Sequence, residues 1–137
     1  MTIIEHIQQW AQKNNLLVQT SEIDIIFQTD GDAGQWISRA RAIEEDGMIF
    51  VLSAYPFHVA PEKRAAAALT LGEINSNIKL GSFYLDPADG QINFRLGQFL
   101  WPMEDEETAQ RVENMIMLAL SITNNYYRKM MALALEE

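Results

Sequence analysis

The sequence lacks cysteine altogether. This absence excludes disulfide bonds, thiolate metal sites and cysteine nucleophiles, and it agrees with a reducing compartment. The first residues also lack the basic segment and the apolar core of a signal peptide. Uninterrupted apolar runs, such as residues 115–120, are far shorter than the roughly 20 residues that cross a bilayer. We therefore expect a cytoplasmic protein that does not associate with membranes.

Basic residues are scarce. Ten lysines and arginines stand against nineteen acidic residues, which gives a net charge of −9. Nucleic-acid binding needs a cluster of positive charge for the phosphates, whereas the basic residues here are scattered singly or in short pairs. We therefore expect no nucleic-acid partner. The acidity is better explained by solubility than by attraction of basic partners.

Residues that carry chemistry are also few. Histidine occurs only as His6 and His58, and because no third metal ligand is evident, both are interpreted as solvated surface residues. No serine lies in a Gly-x-Ser-x-Gly motif, and the Asp- and Gly-rich segments 30–34 and 86–90 lack the ligand spacing of a calcium loop. The sequence therefore predicts no catalytic, metal-binding or cofactor-binding residue, and no cofactor.

What the sequence does contain is a regular succession of helix and strand patterns, which indicates one domain over residues 1–137. Hydrophobic residues make up 48% of the chain and charged residues 21%, a mixture typical of globular proteins. The order α-β-β-β-α-β-β-α predicts an α+β domain with a largely antiparallel sheet. The predicted strands lie at residues 16–18 and 23–27 (one bent strand or a tight pair), 36–43, 48–55, 79–85 and 91–100.

The three predicted helices carry terminal signals. Thr2 and Glu5 form a capping box that starts the first helix, and this helix should end near Asn14. Pro61 favours the first turn of the second helix. Pro102 and the four acidic residues that follow shortly after it favour the start of the third.

Two local patterns predict how the elements pack. The strand at 48–55 is apolar at nearly every position, which predicts a central strand buried on both faces. The Asp46-Gly47 pair before it has the signature of a two-residue hairpin turn. The second helix has a face of mostly small residues that is expected to pack closely on the sheet: Ala65, Ala68, Leu69 and Gly72.

The last helix has more apolar surface than one sheet can cover. Its apolar positions form two stripes around the axis, so the helix must be buried on several sides. Its methionines suit a core or an interface better than an exposed groove. We expect a second subunit of a homodimer to cover the outer stripe, the alternative being another element of the same chain. This dimer or partner surface comprises Met117, Leu120, Tyr127, Met131 and Leu135.

The middle of the chain resembles the YbjN family of small bacterial proteins. The resemblance is carried by residues 49–55, 68–75, 78–86 and 90–96, and its most distinctive step is the Ile-Asn pair that ends the second helix before a Gly-Ser-Phe strand. It implies the fold of type III secretion chaperones, an α+β domain that usually dimerises. Such chaperones are small and acidic and hold partly unfolded effector segments. The family implies no catalytic residues.

These observations together predict a non-enzymatic protein-binding or regulatory module, either chaperone-like or a sensory or stress regulator, that works as a homodimer with a protein client. One rival hypothesis is a small-ligand binder or enzyme with a polar pocket that the sequence does not reveal. Another is a structural subunit of a larger complex. A pocket with converging polar groups would favour ligand binding, whereas an apolar groove would favour the protein-binding module.

Overall fold

The computed structural model describes residues 1–100 and 104–135. Its elements are α1 (Ile3–Lys13), β1 (Gln19–Thr20), β2 (Asp24–Asp30), β3 (Gln35–Ile43), β4 (Met48–His58), α2 (Arg64–Asn75), β5 (Ser82–Leu85), β6 (Gln91–Phe99) and α3 (Asp105–Leu135). Within the described ranges the strands form one antiparallel sheet in the order β1-β2-β3-β4-β6-β5. The α+β class is confirmed, with one short strand added to the predicted order. Pro102, predicted to open the last helix, lies outside the described residues.

Helices α1 and α3 cover one face of the sheet. α1 packs on β2 and β3, α3 packs on β4 and β6, and the two helices contact each other. Alternate side chains of the strands meet these helices and form the hydrophobic core. The buried Tyr55 hydroxyl donates a 2.6 Å hydrogen bond to the Thr123 carbonyl, which fixes α3 on β4. Burial raises the pKa of Tyr55, so the hydroxyl keeps the proton that it donates.

The start of α1 is held by two carboxylates. The predicted capping box is present: the Thr2 side chain accepts from the Glu5 N–H, and the Glu5 side chain accepts from the Thr2 N–H. Glu44, in the loop between β3 and β4, accepts bonds of 2.9 and 3.0 Å from the N–H groups of Ile3 and Ile4. Helix starts leave such donors unpaired, so these contacts both stabilise α1 and tie it to the loop.

The β3–β4 loop is longer than the predicted two-residue turn. β3 ends at Ile43 and β4 begins at Met48, and Glu44–Asp46 between them forms a 3₁₀ turn. Gly47 closes the loop at φ 63°, a left-handed conformation that favours glycine. The longer loop brings the Glu44 carboxylate to the start of α1, a distant contact that no local turn signature could indicate.

The segment after α1 also differs from the prediction. The strand expected at residues 16–18 lies instead at Gln19–Thr20, where β1 pairs with β2 as a tight pair. Leu16 is still attached to α1, because its N–H donates to a carbonyl in the last turn of that helix. Leu17 is 96% exposed. The apolar run at residues 16–18 therefore predicted the strand at a position that precedes the real strand in the chain.

β4 occupies the centre of the sheet, as predicted, but only one of its faces is buried. Ile49, Val51 and Tyr55 point into the core and are at most 1% exposed. Phe50 and Leu52 point to the other side and are half-buried. The prediction of burial on both faces was wrong, because α1 and α3 lie on the same side of the sheet. The continuous apolar run marks a core face and a second, uncovered apolar face.

α2 lies along the β5 edge of the sheet. Its buried residues are Ala67, Leu71 and Ile74. The four residues predicted to pack on the sheet lie at the solvent surface: Ala65, Ala68, Leu69 and Gly72. The prediction failed because a helix beside an edge strand turns a different side inward from a helix over a sheet face. Tertiary position decided which of two apolar sides was buried.

The two faces of β4 can be separated by paired substitutions. Val51→Asp should abolish folding, because a buried, unpaired carboxylate costs about 3–5 kcal/mol or more. Leu52→Asp is the matched control, since Leu52 lies between Arg39 and Arg95 in the strand register and its replacement would meet their guanidinium groups. Thermal unfolding followed by circular dichroism should show no cooperative transition for the first variant and a near-native one for the second. Equal damage from both would contradict the assignment of faces.

Candidate partner-binding surface

The face of the sheet opposite α1 and α3 carries apolar side chains that no helix of the described ranges covers. These outward positions alternate with core positions along the strands. Ile37 is 46% exposed and Phe99 is 63% exposed. We call this surface the open face, and it comprises Asp24, Ile26, Ile37, Arg39, Arg41, Ile43, Phe50, Leu52, Tyr84, Arg95 and Phe99.

Strand register places arginines on both sides of β4. Leu52 lies between Arg39 of β3 and Arg95 of β6. In the next row along the strands, Phe50 lies beside Arg41 of β3. The middle of the open face therefore has an apolar centre on β4, with guanidinium groups on the strands that flank it.

The Phe50 ring organises this centre. Its other cross-strand neighbour is Gly97, where a Cβ atom would lie only 2.5 Å from a ring carbon, so glycine leaves room for the ring. The guanidinium carbon of Arg95 lies 4.6 Å from the ring centroid. This cation–π contact stabilises both side chains in a fixed arrangement at the surface.

One carboxylate balances two of the three guanidinium groups. Asp24 is 6% exposed, and its Oδ2 lies 3.4 Å from Arg39 Nε and 3.2 Å from Arg41 Nη2. The Ser21 hydroxyl donates a 2.8 Å bond to the other carboxylate oxygen. Among the described residues no carboxylate pairs with Arg95. This part of the face is therefore locally positive on a chain whose net charge is −9.

A shallow cavity of about 330 Å³ opens on the same part of the open face. It is lined by Arg41, Ile43, Phe50, Leu52, Tyr84 and Arg95. Apolar walls combined with a few polar groups of fixed position are typical of ligand sites.

The β5 edge of the sheet is closed by a side chain. Asn75, at the end of α2, donates from Nδ2 to the Phe83 carbonyl at 2.9 Å and accepts at Oδ1 from the Phe83 N–H at 2.8 Å. The amide thus pairs with β5 as a neighbouring strand would. The Ile-Asn step that was distinctive in the sequence blocks strand addition at this point.

The residues predicted as an interface on α3 are divided between surface and core. Those at the surface are Met117 (50% exposed), Met131 (37%) and Leu135 (64%), with Leu120 half-buried. Tyr127 is 6% exposed and packs edge-on against Tyr55 and Phe57, which corrects its placement on the outer stripe. Its inward direction follows from the aromatic side chains that β4 presents to α3.

Both histidines pair with an aspartate, and His6 is not the solvated residue that was predicted. His6 is 3% exposed, and its Nε2 lies 3.2 Å from Oδ1 of Asp105 at the start of α3. Hydrogen bonds from His6 and from the amino terminus lower the pKa of the Asp105 carboxyl. His58 is half-exposed and lies 3.6 Å from Asp89. Neither acid is near its histidine in sequence, so the pairs arise only from the fold.

These pairs do not form a recognisable catalytic or metal site. Among the hydrogen bonds of the described residues, no serine binds either imidazole. No group of three His, Asp or Glu side chains in residues 1–100 and 104–135 is arranged to hold a metal ion. The His6–Asp105 pair joins α1 to α3.

A second cavity, of about 490 Å³, is lined by uncharged side chains, several of them polar. Gln28, Gln35, Gln91 and Tyr127 contribute to its lining. The Gln91 amide already donates to the Tyr55 carbonyl at 2.9 Å. The cavity offers hydrogen bonds, but its lining residues include no carboxylate or imidazole for acid–base chemistry.

Comparison with known families gives a match over nearly the whole chain. The YbjN profile, described as “Putative bacterial sensory transduction regulator”, matches residues 4–131. A comparison with functionally curated proteins found no match. In the described part of the chain, no helix combines the length and apolar character needed to cross a membrane.

Solved structures share the fold at low sequence identity. “YbjN, a putative transcription regulator from E. coli” is 15% identical, with a TM-score of 0.60 over 90% of this chain and 93% of that one. A chain of the ExsC–ExsE complex is 11% identical, with a TM-score of 0.63 over 92% and 91%. A chain of the HopA1–SchA chaperone–effector complex is 6% identical, with a TM-score of 0.58 over 91% of each chain. The fold is that of type III secretion chaperones.

The role of the Asn75 side chain can be measured directly. Asn75→Ala should lower the free energy of unfolding by about 1–3 kcal/mol, because the N–H and the carbonyl of Phe83 both lose their partner. Asn77→Ala, at an exposed position just beyond α2, is the matched control and should change stability by less than about 0.5 kcal/mol. Urea unfolding compares the two variants. An unchanged midpoint for Asn75→Ala would show that the edge does not depend on this amide.

Proposed function

The chain belongs to the YbjN family, and on that basis we propose that it is a non-enzymatic protein-binding module that holds a segment of a partner protein on its open face. The observation that carries this proposal is the apolar sheet face that the described helices leave uncovered. Contiguous exposed apolar surface is unusual on soluble monomers and marks interaction sites. A segment lying there would bury Ile37, Phe50, Leu52 and Phe99.

The structural relatives support binding of a protein partner. Two of them were solved as complexes of two proteins, ExsC with ExsE and the effector HopA1 with the chaperone SchA. A module that holds a segment of another protein can regulate it by withholding that segment from other contacts. Partner capture therefore unites the chaperone-like hypothesis with the regulatory description of the family.

We propose that the protein has no catalytic role and needs no cofactor. His6 and His58 each lie beside an aspartate from another part of the chain, and no serine of the described residues binds either imidazole. A net charge of −9 opposes nucleic-acid binding, and the cytoplasm remains the compartment that we expect. The alternative function is small-ligand binding in the glutamine-lined cavity, which the presence of three glutamines in its lining favours.

We further propose that the chain forms a homodimer through the outer side of α3. Met117, Met131 and Leu135 are exposed there, and methionine adapts well to a partner surface. Closed two-fold dimers are the commonest oligomers. Because α3 packs on the side of the sheet opposite the open face, such a dimer would leave the open face available to a partner.

Partner capture by the open face is tested by comparing substitutions at exposed positions. Ile37→Asp combined with Phe99→Asp should abolish capture of a specific protein from lysate, because charges would replace the exposed apolar contacts. Leu69→Asp on α2, at a position 73% exposed, is the matched control and should capture the same protein as the wild type. The protein identified by mass spectrometry is then purified and its binding measured by calorimetry. Undiminished binding by the double variant would place the partner elsewhere.

The dimer is tested by substitutions on the outer side of α3. Met117→Glu combined with Met131→Glu should yield monomers that keep the native far-UV helix signal, because only surface contacts are lost. Leu69→Glu on α2, at a position 73% exposed, makes the same kind of change away from α3 and is the control that should remain dimeric. Light scattering reports the mass of each. A monomeric wild type at high micromolar concentration would refute the dimer.

A further inference from the structure

Positive charge is concentrated on the open face of a strongly acidic chain. Arg39, Arg41 and Arg95 lie on the strands that flank β4, whereas the chain as a whole carries −9. In the described residues, Asp24 is the carboxylate that forms ion pairs with this group. A local excess of cations on a surface attracts anionic groups and orients their binding.

Arg95 is held in place without using its hydrogen-bond donors. Its guanidinium lies over the Phe50 ring at 4.6 Å, and none of the hydrogen bonds or ion pairs of the described residues involves it. The planar guanidinium group matches a carboxylate with two parallel N–H donors. An arginine already fixed on a ring loses little freedom when it binds such a group.

Arg41 is short of acceptors as well. Its Nη2 lies 3.2 Å from Asp24 Oδ2, but the same oxygen also serves Arg39 at 3.4 Å. The Arg41 Nε is buried without a hydrogen-bond partner. One carboxylate therefore serves two guanidinium groups, and the part of the Arg41 side chain that remains exposed can bind a second acceptor.

The space between these arginines has the size of a side-chain pocket. Its volume of about 330 Å³ is near the lower end of the roughly 300–1,000 Å³ typical of ligand sites. Ile43, Leu52 and Tyr84 supply its apolar lining. This combination suits one or two side chains of an extended peptide that are partly charged and partly apolar.

We propose that this cavity receives an acidic side chain of the partner, a glutamate or aspartate next to a bulky apolar residue. The carboxylate binds Arg41 and Arg95, and the apolar neighbour packs on Leu52 and Tyr84. The inference rests on the proposed function, because it specifies the chemistry of the segment that the open face holds. The partner segment is therefore apolar with acidic residues interspersed, and a basic segment is rejected.

The charge distribution favours a peptide carboxylate over a polyanion. A nucleic acid extends far beyond one cavity and would meet the acidic surface that gives the chain its charge of −9. A short segment with isolated carboxylates meets only the positive part of the open face. The apolar residues that line the cavity also make no favourable contact with a chain of charged phosphates.

A random peptide display library, panned on the purified protein, supplies the probe. We expect selected peptides to be enriched in glutamate or aspartate next to leucine, isoleucine or aromatic residues. One selected peptide is then synthesised with its acid, with the corresponding neutral amide and with lysine, and binding is measured by fluorescence anisotropy. The amide form should bind roughly tenfold more weakly, since it loses charge-assisted hydrogen bonds.

Three variants assign the preference to the cavity. Arg95→Met removes one of the two charges that the carboxylate meets but keeps an apolar chain beside Phe50, so it should lower the preference for the acid over the amide and leave only the part that Arg41 provides. Arg128→Met makes the same change at an exposed position on α3 and should keep the wild-type preference. Arg95→Glu places an acid in the cavity, where Arg39 and Arg41 are then balanced by two carboxylates, so it should abolish the preference for the acid form and bind the lysine form more tightly than the wild type does. Circular dichroism checks that each variant is folded.

Each other outcome overturns the inference in a distinct way. Selection of apolar peptides without acids, lost in the Ile37→Asp and Phe99→Asp double variant, would refute the carboxylate site but support the proposed function. Failure to select any peptide would refute both. A short oligonucleotide that binds more tightly than the acidic peptide and depends on Arg95 would assign the cavity to phosphates. Dissociation of a dimer by Arg95→Met, without peptide binding, would assign it to a second copy of the chain.

Discussion

Alternate side chains of β4 point to opposite sides of the sheet. The rest of the structure depends on the fact that helices cover only one of these two sides. Val51 and Tyr55 enter a core closed by α1 and α3. The hydrogen bond from Tyr55 to the backbone of α3 fixes that helix over the same side. Because α1 and α3 both pack on that side, Phe50 and Leu52 on the other side remain half-exposed. A one-sided core thus produces an apolar surface available for binding.

Long-range polar contacts maintain this one-sided arrangement. The Glu44 carboxylate binds the first N–H groups of α1, and Asp105 at the start of α3 binds His6 of α1. Asn75 pairs with the backbone of β5 and closes that edge of the sheet. The Glu44 and Asn75 contacts satisfy backbone groups that a helix start and an edge strand leave unpaired, and the His6–Asp105 contact joins α1 to α3. The ends are thereby fixed without covering the open face.

An uncovered apolar face raises the risk of self-association, and charge offsets that risk. The net charge of −9 makes separate copies repel one another, which favours solubility. The arginines of the open face have a charge opposite to that of the whole chain, and Arg95 contacts the Phe50 ring rather than a carboxylate. We interpret the combination as selectivity for an apolar partner segment that carries its own acids. The family description names a regulator, and the open face gives the proposed partner binding a physical basis.

Sequence alone determined the element order, the α+β class and the family resemblance, because hydrophobic period, caps and turn residues act over a few positions. The Thr2–Glu5 capping box and the central place of β4 followed from such local signals. Which side of an apolar element is buried depends on where other elements lie, so the outward direction of Phe50, the inward direction of Tyr127 and the exposed side of α2 were decided only by tertiary structure. The same holds for the arginine cavity, since its residues come from four strands whose register and shared face no local pattern encodes.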